Sequence, residues 1–256
     1  MKSFLFIFTI TICLNSFADS TEGITYLTEE YPPYNFKDEE GNVVGINVDI
    51  LVEMFKLLGS SKSRKDIKLQ PWVRAYRTTK DTTEKTALFT TSRTTKREEL
   101  FKWVGPLVGG TTSLIVLKSN PNNVSISSDA DFLKYKYAVI RDDSAESLLL
   151  ARNVPKKNLS YSTKFLSMIK KLQNNQVDAI PYNFITASAL MKKNNINPDT
   201  IKPIVDIPRP NSKGNHIAFN KSVSDSIILE HQKALEKVLS NEELVESIKK
   251  RYLSLN

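Results

Sequence analysis

Along the first hundred residues the hydrophobic pattern switches repeatedly between a period of two and a period near 3.6. ITYLT (24–28) alternates and is β-branched, so it predicts a strand. It runs into EEYPPYNF, where Pro32-Pro33 interrupts regular structure and leaves Tyr31, Tyr34 and Phe36 on a loop. DEEGNVVG reads as a turn and short strand. NVDILVEMFKLLG (47–59) then aligns Val48, Leu51, Val52, Phe55 and Leu58 on one helical stripe, with Gly59 as its stop. DIKLQPW predicts a strand ending at Trp72, VRAYRTTKD a short helix or turn, and TALFTTS (86–92) a third strand. Such alternation of strand and helix implies a parallel α/β sheet.

The alternation then restarts. TSLIVLKS (112–119) predicts a strand followed by the loop NPNNVS. After it come KYAVIRDD (strand), SAESLLLARN (helix), LSYS (short strand), STKFLSMIKKLQNN (helix), QVDAIPYN (strand) and FITASALMKKNN (helix). The Pro-rich stretch IKPIVDIPRPNSKGN leads to one more strand, HIAFNKS. Two helices, SDSIILEHQKALEKVLS and NEELVESIKKRYL, close the chain, with Ser or Asn first and acids in the first turn. The expected plan is an α/β lobe (19–115 plus 213–256) into which a second α/β lobe (116–212) is inserted. Crossing strands near 113–118 and 206–217 would form the hinge. Two such lobes make a cleft that can close.

The N-terminus changes the compartment. MKSFLFIFTITICLNSFA has one Lys, a short apolar run (Phe4–Leu14) and Ser16-Phe17-Ala18 before Asp19. That is the pattern of a signal peptide cleaved after Ala18, too short to span a bilayer. The rival reading, a lipoprotein acylated on Cys13, meets Ile12 where a small residue is wanted. Cleavage would leave 238 of the 256 residues and, with Lys2 gone, lower the formal net charge from +8 to +7. It would also remove the only cysteine, so the exported protein needs no disulfide; a chain of that length buries a sufficient core without one. The basic residues fall in pairs (Lys156-Lys157, Lys170-Lys171, Lys192-Lys193, Lys249-Lys250) on polar helix sides without an aromatic platform, which argues against nucleic acid.

Candidate chemistry gathers at the carboxyl ends of the first-lobe strands: Thr28 and Tyr31, Trp72, then Thr90, Ser92 and Arg97. Within TTSRTTKREELF (90–101), hydroxyls and cations precede a helix expected over 94–101. An arginine fork there matches a carboxylate, and the helix's first N–H groups favour the same anion. From spacing alone Arg93, Lys96 and Arg97 are equivalent, and Trp72, Trp103 and Tyr31 could equally be packing. Asp142-Asp143 reads better as a strand-to-helix cap than as a carboxylate pair. His216 and His231 have no nucleophile or carboxylate at telling spacing. No phosphate loop, G-x-S-x-G or metal-ligand cluster occurs, so no enzyme, cofactor or metal is expected.

YPPYNFKDEEGNVVGINVDILVEMFKLLG, with Gly45 and Asp49, resembles the opening of the extracytoplasmic solute-binding proteins of family 3, the polar amino-acid binding group. SRTTKREELFKWVGPL, VDAIPYN and HIAFNKS are similar to later family segments in the same order, and PWVRAYR resembles a divergent branch. The resemblance implies the type II periplasmic-binding-protein fold with two crossover strands. It also implies a periplasmic location, an ABC permease of the inner membrane as partner, and a monomer. By position it places Arg97 on the arginine that grips a ligand carboxylate, Thr90 and Ser92 on neighbouring contacts, and Tyr31 on an aromatic wall. In lobe two it places Asp143 and Ser144 on the strand-end grip. Asn183 stands where the family usually has the Asp that pairs with an α-ammonium, and RDDS replaces the usual Gly-Thr-Thr. Asp142 or Asp143 could take over the ammonium, or the ligand could be another small carboxylate. The expected function is a non-catalytic binding protein for a small carboxylate-bearing solute, a polar amino acid. The alternatives are a dehydratase-like enzyme of cyclic prephenate-like acids, with Asp142, Asp143 and Glu30 as its acids, and a sensor that signals through a partner protein.

Overall fold

The computed structural model describes residues 19–208 and 214–253. The expected signal peptide, Cys13, the cleavage site and the 212/213 lobe boundary lie outside the described residues. In chain order the first elements are β1 (Thr25–Thr28), β2 (Phe36–Lys37), β3 (Val43–Val44), α1 (Ile46–Leu57), β4 (Ile67–Leu69), α2 (Trp72–Asp81), β5 (Thr86–Ser92) and β6 (Lys102–Leu107). Next come β7 (Thr112–Leu117), β8 (Tyr137–Ile140), α3 (Ser144–Ala151), β9 (Leu159–Ser162), α4 (Phe165–Gln173), β10 (Ile180–Tyr182), α5 (Phe184–Lys193) and β11 (Ile201–Ile207). The chain closes with β12 (Asn215–Phe219), α6 (Asp225–Leu239) and α7 (Glu242–Leu253).

Two sheets organise the molecule as two lobes. The first runs β4-β1-β5-β12-β6, with β1 parallel to β4 and β5, and β12 antiparallel to β5 and β6. The second runs β10-β7-β11, all antiparallel. A bridge between Tyr137 and Ala179 brings the parallel pair β8–β9 alongside it. The chain leaves the first sheet after Leu107 and enters the second at Thr112; it returns between Ile207 and Asn215. The expected crossing strand near 113–118 is instead a strand of the second sheet, the crossing itself being residues 108–111, and the expected 206–217 stretch contains the end of β11 and the start of β12. β7, which spans residue 115, pairs entirely within the second sheet.

The sequence pattern explains most elements. β5 is buried at all seven positions, as a central strand should be. α2 differs from expectation: Pro71 ends the strand segment, and Trp72 is the helix's first residue rather than the last of a strand. Trp72, Ala75, Tyr76 and Thr79 form its buried stripe at helical spacing. β11 forms despite Pro203 because it is an edge strand with a register shift between Pro203 and Val205. The segment expected as a helix over 94–101 is a short 3-10 helix (Thr95–Leu100), too brief to concentrate much dipole at its start.

One core cluster fills the first lobe around Tyr26, Leu51, Phe55, Phe89 and Leu235. Another fills the outer part of the second around Val116, Tyr137, Val139 and Leu149. Between them a third cluster combines Leu27, Trp72 and Leu88 with Ile115, Ile169 and Ile180, so apolar packing is continuous from lobe to lobe. His231, fully buried, meets the Tyr26 hydroxyl at 2.7 Å through Nε2 and the Ile227 carbonyl at 2.8 Å through Nδ1, which makes it a packing histidine. Helix α7 is fastened to α1 through Asp49, whose carboxylate accepts from Arg251 (2.7 Å) and the Tyr252 hydroxyl (2.9 Å) and also from Arg64 (2.7 Å).

Candidate functional site

Where β5 ends, the backbone turns sharply. Thr90 adopts φ 61°, the left-handed region, which costs a β-branched residue roughly 1–2 kcal/mol. The pairing of β5 with β12 shifts register in the same place. Asn47 at the start of α1 holds this bend by donating from Nδ2 to the Thr90 hydroxyl (3.0 Å) and to the carbonyl of Val108 (2.9 Å) in the crossover. Strain maintained by surrounding structure is characteristic of sites that do something.

The turn delivers Arg97 inward. Although charged, it is only 2% exposed. Nη1 donates to the Ser92 carbonyl at 2.9 Å, and Nη2 to the carbonyl of Asp142 in the second lobe at 2.6 Å. Its guanidinium lies 4.8 Å from the Trp72 ring centroid and 5.1 Å from that of Tyr76, a stacking geometry worth about 0.5–2 kcal/mol. Arg93, by contrast, forms an exposed pair with Glu98 and stands over Trp103. Structure therefore separates two arginines that spacing left equivalent.

Tyr31, Trp72, Thr90, Ser92 and Arg97 line one chamber from the first lobe, and Asp143, Ser144 and Asn183 line it from the second. Thr28 does not reach it: it is fully buried beside the chamber, and its hydroxyl has no hydrogen-bond partner. Asp143 is the N-cap of α3, its carboxylate accepting the Ser144 N–H at 2.6 Å, so the cap reading holds while the residue also faces the chamber. Asn183 is the N-cap of α5. Its Oδ1 accepts from the Thr186 N–H (2.9 Å), and its Nδ2 donates to the Thr111 carbonyl (3.0 Å). Both ends of the amide are committed to the scaffold. Gly110 allows this approach, because a Cβ there would collide with the Asn183 amide and the Tyr34 hydroxyl.

Sequence reasoning missed Glu29, Thr112, Tyr182 and Asn215, which also line the chamber. Glu29 follows β1 directly, and extending the strand-end rule by one residue would have found it. Burial, and after it the Asp143 carboxylate, pushes the Glu29 carboxyl well above the usual range, with Arg97 opposing. Burial also lowers the Arg97 pKa, countered by Asp143, Tyr76 and Glu29. Two carboxyls, Glu29 and Asp143, thus line the chamber with the single guanidinium of Arg97. Tyr182 joins Tyr31 edge-on (centroids 5.6 Å apart) and stacks on Phe165 (4.8 Å), extending an aromatic wall from the first lobe into the second.

The other expected acids lie differently. Asp142 offers its backbone carbonyl to Arg97, and Glu30 pairs with Lys193 of α5 at 2.6 Å. Lys193 also donates to the Lys37 carbonyl at 2.7 Å, so one side of the cleft is fastened across the lobes. Among the described residues no group of three metal-ligating side chains occurs, and no helix is long and apolar enough to cross a membrane.

The family model described as bacterial extracellular solute-binding proteins, family 3, matches residues 24–254. None of the curated proteins matches the chain. Among solved structures, an ancestral arginine-binding protein bound to arginine aligns with a TM-score of 0.71 at 20% identity, over 91% of this chain and 99% of its own. A histidine kinase sensor domain with similarity to periplasmic binding proteins aligns at 0.74 and 17%, over 90% and 96%. An amino acid ABC transporter substrate-binding protein from Streptococcus pneumoniae Canada MDR_19A, bound to L-arginine, aligns at 0.70 and 19%, over 92% and 95%. At these identities the structural likeness is one of fold.

Proposed function

The chain belongs to the bacterial extracellular solute-binding proteins of family 3, and from that premise we propose that it closes its cleft on an α-amino acid without transforming it. The observation that carries this reading is the buried Arg97, which joins both lobes and faces Glu29 and Asp143. The ligand carboxylate takes N–H groups of Arg97 beyond those given to Ser92 and Asp142. Its ammonium sits between Glu29 and Asp143, replacing the charge that Asn183 cannot supply. A buried ammonium needs such a partner. Ligand held by both lobes stabilises the closed form by its differential affinity for that form.

In this proposal the protein is a periplasmic monomer that hands its ligand to an ABC permease. The amino-acid binding proteins among its structural relatives support that setting. The dehydratase alternative is less favoured, because of its three acids Asp142 gives Arg97 its backbone, Glu30 is paired with Lys193, and Asp143, the one that lines the chamber, caps α3.

Thermal unfolding of the purified protein against the common amino acids and amine-free carboxylates tests the reading. A ligand at a hundred times its dissociation constant adds about 2.7 kcal/mol of stability. Stabilisation by amino acids, absent with their amine-free analogues, is the expected result. Stabilisation by the amine-free acids alone would refute the ammonium site, and no response to any amino acid would refute the proposal.

A further inference from the structure

The Arg97 chamber has about 30 Å³ of free volume, close to the share of one water molecule in the liquid. A space of that size leaves no room for a large side chain. Beside it opens a second cavity of about 400 Å³, within the roughly 300–1,000 Å³ typical of small-molecule sites. Glu29, Trp72, Ile140 and Tyr182 line both, so the two spaces adjoin.

The annex is apolar where a ligand would enter it. Leu69, Pro71 and Trp72 face it from the first lobe, and Phe165, Leu166 and Leu190 from the second. Apart from Glu29 at the junction with the chamber, its charged residues are Lys37, Lys164 and Lys193, three exposed cations, against Glu30. Glu30 is already paired with Lys193. A cationic side chain reaching into this space would find no free carboxylate at its far end and three ammonium groups near it. An anionic one would have to shed water against leucine and phenylalanine, at a cost the exposed lysines repay poorly.

We infer that the annex receives the side chain of the bound amino acid and that this side chain is large and apolar, leucine- or phenylalanine-like, rather than the arginine held by the structural relatives. The inference rests on the amino-acid reading above and narrows the ligand class within it. Affinity is set in the annex by the apolar volume filled, and each added group the pocket can bury improves binding by about tenfold.

Calorimetric titration of the intact protein with alanine, valine, leucine, phenylalanine, arginine and glutamate tests it. The expected order rises from alanine through valine to leucine or phenylalanine, with arginine and glutamate at least tenfold weaker than the best apolar ligand. Leu166, only partly buried, is the position to alter. Leu166→Asp is expected to weaken leucine and phenylalanine by about tenfold or more and to strengthen arginine. Leu69→Asp, on the opposite wall, serves if the first variant does not fold. Arginine or glutamate binding tighter than the apolar ligands in the unaltered protein would overturn the inference while leaving the amino-acid reading intact. So would annex variants that leave the ligand order unchanged. Failure of every amino acid to bind would remove both.

Discussion

Arg97 donates its Nη2–H to the backbone carbonyl of Asp142 at 2.6 Å, a buried charge-assisted bond that runs from one lobe to the other. Asp142 presents that carbonyl from a left-handed conformation (φ 60°); on the opposite side the carbonyl comes from Ser92, two residues after the left-handed Thr90 (φ 61°). The guanidinium is thus held between two left-handed turns, one from each lobe. Such fixed, desolvated donors bind an anion more strongly than flexible exposed ones.

Replacing Arg97 with Ala is expected to weaken ligand binding by about 2–5 kcal/mol, measured by titration. Lys at the same position should not restore it, because an ammonium lacks the planar fork whose two nitrogens reach separate carbonyls and the flat face that packs near Trp72 and Tyr76. Full affinity in the Lys variant would show that only charge matters there.

Glu29 makes unliganded stability depend on pH in a stated direction. Its native pKa lies well above the unfolded value of about 4.3. Between the two values the folded protein keeps a proton that the unfolded chain has released. Its contribution to stability therefore falls as pH rises through that interval and levels off above the native pKa. Glu29→Gln is expected to flatten this decline and raise unliganded stability near neutral pH, while weakening amino-acid binding. Melting curves from about pH 4 to about pH 8 would reveal it, and identical slopes in both proteins would refute it.

The Glu30–Lys193 pair closes the cleft edge, with side chains 32% and 44% exposed. At that exposure its worth is roughly 0.2–1 kcal/mol, reduced by salt. Lys193→Ala is expected to speed ligand release by a few-fold with little change in global unfolding. A double-mutant cycle with Glu30→Gln isolates the coupling. Additive effects of the two changes would mean the pair does not act as a latch.

Asp49 belongs to the scaffold rather than the cleft. Its carboxylate, 6% exposed, gathers three donors from outside α1, and Asp49→Asn removes charge from all three contacts. Because Arg64 and Arg251 reach solvent, the loss is expected at about 1–3 kcal/mol rather than that of a fully buried charge. Denaturant unfolding measures it, and ligand affinity should be unchanged.

Much of the fold could be read from periodicity alone. The strand expected over 86–92 and the short one over 159–162 match β5 and β9 at both ends, because neither contains Gly or Pro and both are bounded by polar turns. β6 was missed because Gly105-Pro106 sits inside it, and β11 because Pro203 suggested a loop; both lie at sheet edges, where such residues are tolerated. Tyr31, Thr90, Ser92 and Arg97, grouped by the strand-end rule, line one chamber, since that grouping follows from the direction of β1 and β5. It could not reveal that Glu29 faces Asp143, or that Tyr182 meets Tyr31, because those meetings depend on how one lobe is set against the other. Nor could spacing show that Asn183 caps α5 and grips the crossover, which gives the amide a structural use at a position where the family resemblance had suggested a missing charge.

Trp72 packs directly beneath Arg97, and its indole N–H has no hydrogen-bond partner. The chain's other tryptophan, Trp103, donates to the Glu98 carbonyl at 3.2 Å on the far side of Phe101. A Trp103→Phe protein would therefore carry a single indole chromophore, seated on the element that closure buries. Opening of the lobes would admit water to that ring and move its emission to longer wavelength, so the cleft contains its own fluorescent readout of occupancy.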